Sequence, residues 1–232
     1  MEILDIEQLA AYLSRDVREV GKLASRGLLP GRRVNGEWRF ARAEINHWLE
    51  SRLHEHSEAE LEALESAHSM DVEEPLLGNL LSETRVAVPL GAASRSSVLR
   101  ELVKLIEPEW QVYDADAILE ALSQREQMGS TALPSGVAIP HAHRPLGDNV
   151  LAEPLLAFGR TIRAVPFGGG SGGMTDLFFL VLSTNDRTHL RVLTRLARLL
   201  RREGFVAQLR AAETPQDAYE VILQAERDLL GS

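Results

Sequence analysis

Residues 123–143 read "SQREQMGSTALPSGVAIPHAH". The first six close the run "DADAILEALSQREQM", in which Ile118, Leu119 and Leu122 recur at helical spacing behind Asp114 or Asp116, either of which can cap a first turn. Further on, Gly136 permits a tight entry into Val137, Ala138 and Ile139, a short apolar run suited to a buried strand, and Pro140 ends it by fixing φ and removing a ladder donor. Helix, polar loop, buried strand and then two histidines describe a layered fold of helices on a sheet. His141 stands at the strand end, where a ring can be aimed rigidly while staying open to a partner.

The alternation extends outward from there. "SSVLRELVKLIEPEW", with Ser97 near its start, is an amphipathic helix before the stretch; after it "EPLLAFGR" and "TDLFFLVLS" are strand-like. "THLRVLTRLARLLRR" repeats Leu190, Leu193, Leu196 and Leu199 or Leu200 on one face, and "EGFVAQLRAA" and "TPQDAYEVILQAERDLL" add two more helices. The class is α/β (α+β), a mixed sheet flanked by helices. "FGGGSGG", residues 167–173, lacks the Gly-Lys-Ser/Thr ending of a phosphate-binding loop and reads as the tip of a hairpin.

Composition limits the chemistry. The 232 residues suit two modest domains, and 44% apolar and 25% charged residues are ordinary for packed cores. The chain contains no cysteine, which excludes disulfides, thiolate nucleophiles and cysteine zinc sites and suits a reducing compartment. The start, "MEILDIEQLAAYLSRD", puts acids where a signal peptide needs bases, and no stretch has the roughly 18 apolar residues of a membrane span. A cytoplasmic protein with no membrane insertion is expected.

The net charge of -9 is uneven. Residues 54–76 hold eight acids and no Lys or Arg, the composition of a solvated helix or tether, and are read as a linker between domains at 1–53 and 77–232. Residues 15–42, by contrast, hold eight basic residues against three acids.

That basic segment has a recognisable plan. Asp5 with Gln8, and Asp16 with Glu19, form two capping-box patterns ahead of the apolar stripes Ile6, Leu9, Ala10, Leu13 and Val17, Val20, Leu23, Ala24. "LLPGRRVNGEWRF" then gives two extended runs around Asn35-Gly36, a hairpin signal because a type I′ turn needs positive φ at both central residues. A third helix, "ARAEINHWLESRL", presents Ile45, Trp48 and Leu49. Helix, turn, helix, basic hairpin and packing helix is the plan of a winged helix-turn-helix, and "SRGLLPGRRVNGEWRF" resembles the excisionase and MerR-like DNA-binding family. The resemblance implies that Arg15, Arg18 and Lys22 on the second helix face the major groove while Arg32, Arg33 and Arg39 on the wing meet phosphates or the minor groove. The alternative is a solvated basic face on a protein-docking module, with Glu19 and Glu37 among the contacts. A single module has a small footprint, so useful DNA affinity calls for a dimer.

Three roles are open to His141 and His143: core filler, metal ligands with His189 or Asp148 completing a shell, or phosphate acceptor. The whole stretch 123–143 resembles the active-site signature of the type-2 enzyme IIA family of the bacterial phosphoenolpyruvate-dependent phosphotransferase system, the fructose, mannitol and nitrogen-regulatory class. Its pattern is arginine-glutamate, three residues, serine-threonine, a glycine-containing loop, then glycine-x-alanine-isoleucine-proline-histidine. The likeness extends loosely from about Leu80 to the C-terminus, and "THL" places His189 where the family keeps a second active-site histidine. The resemblance implies that His141 is the phosphorylated nucleophile, His189 a neighbouring imidazole that donates to the phosphoryl oxygens, and Arg125 a cationic clamp. Ser130 and Thr131 would support the phosphate and His143 would be accessory. No metal and no cofactor is expected, since an imidazole lone pair can attack phosphorus near neutral pH without one.

The function expected is a phosphohistidine carrier and regulator rather than a free-standing enzyme. Its donor would be the histidine-containing phosphocarrier protein, and its charge change would be passed on to DNA or to another regulatory protein. A sugar-uptake component feeding a membrane permease is the alternative. A metal-dependent hydrolase using His141, His143 and His189 is weakened by the lack of an acidic third ligand close to the pair in sequence.

Overall fold

A computed structural model describes residues 2–68, 76–168 and 173–231. Two compact units emerge, Met1–Val72 with Asp186–Arg198, and Glu73–Asn185 with Leu199–Ser232.

The first unit opens with β1 (Ile3–Leu4), α1 (Ile6–Tyr12) and α2 (Val17–Ser25), followed by β2 (Arg32–Val34), β3 (Glu37–Ala41) and α3 (Arg42–Arg52). The capping box at Asp5 forms: Oδ1 accepts from the Gln8 amide at 2.8 Å, and Gln8 Oε1 accepts from the Asp5 amide at 2.9 Å. Such a cap contributes about 1 kcal/mol. The second expected box does not close. Asp16 accepts from the Arg18 amide at 2.8 Å, but Glu19 turns to the Arg15 guanidinium, whose charge outcompetes a backbone amide for a carboxylate. Asn35 and Gly36 take φ of 52° and 86°, forming the expected hairpin turn, and β2 and β3 pair antiparallel with Val34 opposite Glu37 and Arg32 opposite Arg39. β1 joins the other edge of β3, with Leu4 opposite Phe40. Leu9, Val20, Phe40, Ile45 and Leu49 form the small core.

The stretch expected to be a linker holds a helix, α4 (Glu58–His68), which buries Leu61, Leu64, Glu65 and His68. Two leucines three apart give an otherwise acidic segment an apolar edge, and Glu65 is neutralised by Arg195, so burial outweighs the solvation its composition favours. Residues 69–75 of the expected linker lie outside the described residues.

The second unit runs α5 (Leu76–Leu80), β4 (Val86–Ala87), α6 (Arg95–Ile106), α7 (Ala115–Met128), β5 (Val137–Ala138), β6 (Leu155–Pro166) and β7 (Met174–Leu182). α8 (Asp186–Arg201) follows, its residues up to Arg198 counting with the first unit, and α9 (Phe205–Ala211) and α10 (Pro215–Leu230) close the chain. The sheet order is β4-β6-β7-β5, with β6 and β7 antiparallel and the two short edge strands parallel to their neighbours. This is the mixed sheet flanked by helices that the sequence implies. The expected hairpin tip at 167–173 lies only partly within the described residues. Phe167 and Phe178 pack at 5.2 Å between ring centroids in a core to which α6 and α7 contribute Val98, Leu102, Ile106, Ile118 and Leu122, while Phe158 and Phe179, at the alternate strand positions, pack on each other at 4.8 Å. Each of these fully buried side chains contributes about 1.5–3 kcal/mol.

Candidate phosphoryl and nucleic-acid sites

His141 follows β5 by three residues. Pro140 ends the strand's own hydrogen bonding, yet its carbonyl accepts from the Val181 amide at 2.9 Å, and His141 still bridges β7 opposite Val181. The chain therefore stays on the sheet one residue past the proline, and His141 is buried, at 4% exposure, where an open strand end was expected. Its Nδ1 lies 2.7 Å from the Ile139 carbonyl. A carbonyl only accepts, so Nδ1 carries the proton and the lone pair resides on Nε2.

The preceding loop is folded back onto β5. Leu133 donates to the Val137 carbonyl at 2.7 Å, Ile139 donates to the Thr131 carbonyl at 3.3 Å, and Ala132 bridges Ala138. Gly136 takes φ of 80°, and a side chain there would meet Arg210 at 2.6 Å. Arg125, buried near the end of α7, donates from Nη1 to the Gly129 carbonyl at 2.9 Å. Ser130 Oγ donates to the Phe167 carbonyl at 3.2 Å and accepts from the Ala132 amide at 3.2 Å.

Thr131 is held by a residue that was not among the expected site residues. Glu126 accepts from the Thr131 hydroxyl and, at 3.3 Å, from its amide. Burial pushes the Glu126 carboxyl above the usual carboxylate range, while the Thr131 hydrogen bonds and Arg125 act the other way. The signal was an acid beside Arg125 on the face of α7 that also buries Leu122. Glu126, Thr131, Ile139 and His141 thus form one chain of contacts, in which a buried carboxyl pins the loop that in turn fixes the backbone orienting the imidazole. His143 is half-buried and Arg144 exposed.

His189 sits in the first turn of α8, within the first unit, with Nε2 at 3.0 Å from Glu50 Oε1. The sequence offered no sign of this pairing, because the partners lie 139 residues apart. His56 and His68, which no motif recommended, direct Nδ1 to the carbonyls of Arg52 and Leu64 at 2.8 Å each.

The six basic residues expected at DNA divide into two groups. Arg18, Lys22, Arg32 and Arg33 are exposed, although Arg32 comes within 3.8 Å of Glu44 and Arg33 stacks over Trp38 at 5.1 Å. Arg15 is engaged by Glu19 and by Glu60 at 3.0 Å, and Arg39 by Glu37 at 2.5 Å. The acids noted beside the patch thus neutralise part of it. Among the described residues no helix is long and apolar enough to cross a membrane.

Comparison with known proteins matches each half. Residues 3–53 fit the helix-turn-helix domain family. The nitrogen regulatory protein of Bradyrhizobium diazoefficiens is 34% identical over 147 residues, 62% of this chain and 92% of that one. The fructose-specific EIIABC component of Bacillus subtilis is 31% identical over 150 residues, but these cover only 23% of that protein. The crystal structure of nitrogen regulatory protein IIA-Ntr from Neisseria meningitidis superposes with a TM-score of 0.56 at 28% identity, covering 63% of this chain and 99% of that one. Residues 79–225, which contain the folded-back loop, His141 and His189, match the family model of the phosphoenolpyruvate-dependent sugar phosphotransferase system EIIA 2 domain, and the chain belongs to that family.

Proposed function

We propose that the chain is a phosphohistidine carrier whose loading on His141 regulates binding by the N-terminal helix-turn-helix module. The observation that carries this reading is the Nδ1 hydrogen bond to the Ile139 carbonyl, which leaves the nucleophilic lone pair on Nε2. As the P–N bond of a donor phosphohistidine breaks, a P–N bond to His141 Nε2 forms, and Nδ1 keeps its proton against Ile139. Transfer from one imidazole to another is nearly isoenergetic, so the protein has only to position the groups and stabilise charge on the equatorial oxygens. Arg125 supplies a buried cation, His189 donates to the phosphoryl oxygens, Ser130 and Thr131 support the loop and the phosphate, and His143 is accessory. The donor is the histidine-containing phosphocarrier protein.

A regulatory role is favoured over sugar uptake by the helix-turn-helix match at residues 3–53 in the same chain as the EIIA 2 match at 79–225. Arg18, Lys22, Arg32 and Arg33 give the module a surface suited to duplex DNA.

Incubating the protein with phosphoenolpyruvate, enzyme I and the phosphocarrier, then mapping acid-labile phosphate by mass spectrometry, tests the reading. Phosphate is expected on His141, lost in His141→Ala, largely retained in His143→Ala, and loaded more slowly in His189→Ala. Equal loss in the first two variants, or stoichiometric zinc in the purified protein, would overturn the assignment in favour of a shared or metal site.

A further inference from the structure

β5 is an edge strand of two residues, paired parallel with β7 through Val137 opposite Leu177 and Ala138 opposite Phe178. A ladder this short has few hydrogen bonds with which to resist a slip, and a slip of one residue turns each side chain to the opposite face. The turn leading into β5 is fastened from a third element. Arg210, near the end of α9, donates from Nε to Asp176 Oδ2 and from Nη2 to Asp176 Oδ1, each at 2.8 Å, and Nη2 also donates to the Ser135 carbonyl at 2.7 Å. Asp176, on β7, in turn donates its amide to the Gly136 carbonyl at 3.0 Å. One guanidinium thus ties α9, β7 and the turn before β5, and it comes this close to Gly136 only because that residue has no side chain. Every residue of the clamp, and His141 itself, belongs to the second unit.

We propose that Arg210 is a positioning residue for phosphoryl transfer, holding the register of β5 against β7 and with it the orientation of the His141 imidazole. The inference rests on the role given to His141 under Proposed function. The path is continuous. Ser135 and Gly136 lead into β5, the Val137 carbonyl accepts from Leu133 at 2.7 Å, the Ile139 amide donates to Thr131 at 3.3 Å, and the Ile139 carbonyl holds His141 Nδ1 at 2.7 Å. An isolated surface ion pair contributes little, but a fork closed on a carboxylate and a backbone carbonyl together fixes direction as well as charge. Asp176 is the other half of the clamp: without its charge Arg210 keeps only neutral acceptors.

The test uses the full chain and phosphoramidate, a small donor that needs no protein partner. Its P–N bond breaks, ammonia leaves with the bonding pair, and the His141 Nε2 lone pair forms the new P–N bond while Nδ1 keeps its proton. Loading is followed by quenched mass spectrometry across donor concentrations in wild type, Arg210→Ala, Arg210→Lys, Asp176→Asn and Ile222→Val, the last a buried change on α10 outside the clamp. Arg210→Ala and Asp176→Asn are each expected to lower the maximal rate about tenfold with KM for the donor unchanged, part of the roughly hundredfold that misplacing reacting groups by about 1 Å can cost. Asp176→Asn keeps the size of the side chain and so carries the test where Arg210→Ala fails to fold. Arg210→Lys, a point charge without the fork, should recover part of the rate, and Ile222→Val should leave it at the wild-type value. The His141 ring nitrogens, which should give one Nδ1-protonated pattern in wild type, should show a mixture of tautomers in Arg210→Ala and Asp176→Asn. Wild-type loading in these two variants, a loss carried by KM alone, an equal loss in Ile222→Val, or an unchanged nitrogen pattern overturns the clamp alone. No phosphate on His141 in wild type overturns the carrier reading, and the clamp with it.

Discussion

The two candidate sites are built in opposite ways. On the helix-turn-helix module Arg18, Lys22, Arg32 and Arg33 stand in solvent, set by a capped helix and a tight hairpin but held by little else. Around His141 the side chains are buried, and each is bonded to backbone or to a neighbour: Arg125 to Gly129, Thr131 to Glu126, His141 to Ile139. Exposed cations act through long-range attraction to phosphates, which tolerates small displacements and is screened by salt. Attack on phosphorus requires aligned atoms, which only a packed and hydrogen-bonded surround can supply. The contrast predicts graded losses at the first site and all-or-none losses at the second.

The largest effect should be His141→Ala, which removes the nucleophile and abolishes phosphate uptake while the circular dichroism spectrum is unchanged. A residual fraction above a few per cent would mean that the buried site is not built around one atom. Next, reversing charge at Arg32 and Arg33 should weaken duplex binding to all sequences alike by roughly ten- to a hundredfold at low salt and lower the salt slope by about 2. Mobility-shift titrations at several salt concentrations measure both. Changes at Arg18 or Lys22 that leave sequence preference intact would show that α2 does not reach base edges.

Two smaller effects sharpen the buried side of the comparison. Thr131→Val strips Glu126 of a hydroxyl partner and should lower unfolding free energy by about 1–3 kcal/mol in urea titrations, with slower loading of His141. Glu126 also gives a pH dependence whose sign is fixed. Because burial raises its pKa in the folded state, the native protein binds a proton more tightly than the unfolded chain. Stability should therefore be greatest below the ordinary carboxyl value and fall as pH rises through the raised one. Glu126→Gln should flatten that slope in urea midpoints measured across the range. An unchanged slope would place its origin elsewhere.

What could be read from the sequence follows the range of the interactions. Asp5 with Gln8, Asp114 at the start of α7 and the Asn35-Gly36 turn are local devices, and each forms as the sequence implies. The histidine at the end of the Val137–Ala138 strand was also legible, since glycine, apolar run and proline lie next to one another. Features set by distant partners were hidden. Strands of two residues, β1 and β4, exist only because β3 and β6 offer a ladder. The acids of α4 counted as solvated until Arg195, 130 positions away, gave Glu65 a buried partner. Composition records how much charge a segment carries, not what will meet it. For the same reason Glu126 and Glu50 escaped notice: each matters through a contact, and only Arg125 beside Glu126 hinted at one.

The two edges of the C-terminal sheet have a bearing on how the protein behaves at high concentration. On one side the sheet stops at β4, two residues followed closely by Pro89; on the other it stops at β5, two residues followed closely by Pro140. A long bare edge is a template on which another chain can lay a strand, the first step toward fibrous aggregates. Here each edge exposes very little backbone and a proline interrupts what would follow. The long strands β6 and β7 pair with each other, and on their outer sides β6 meets β4 at Phe158 and Gly159 and β7 meets β5 at Leu177 and Phe178. An edge strand of two residues followed by a proline offers a neighbouring chain a short ladder on which to stack.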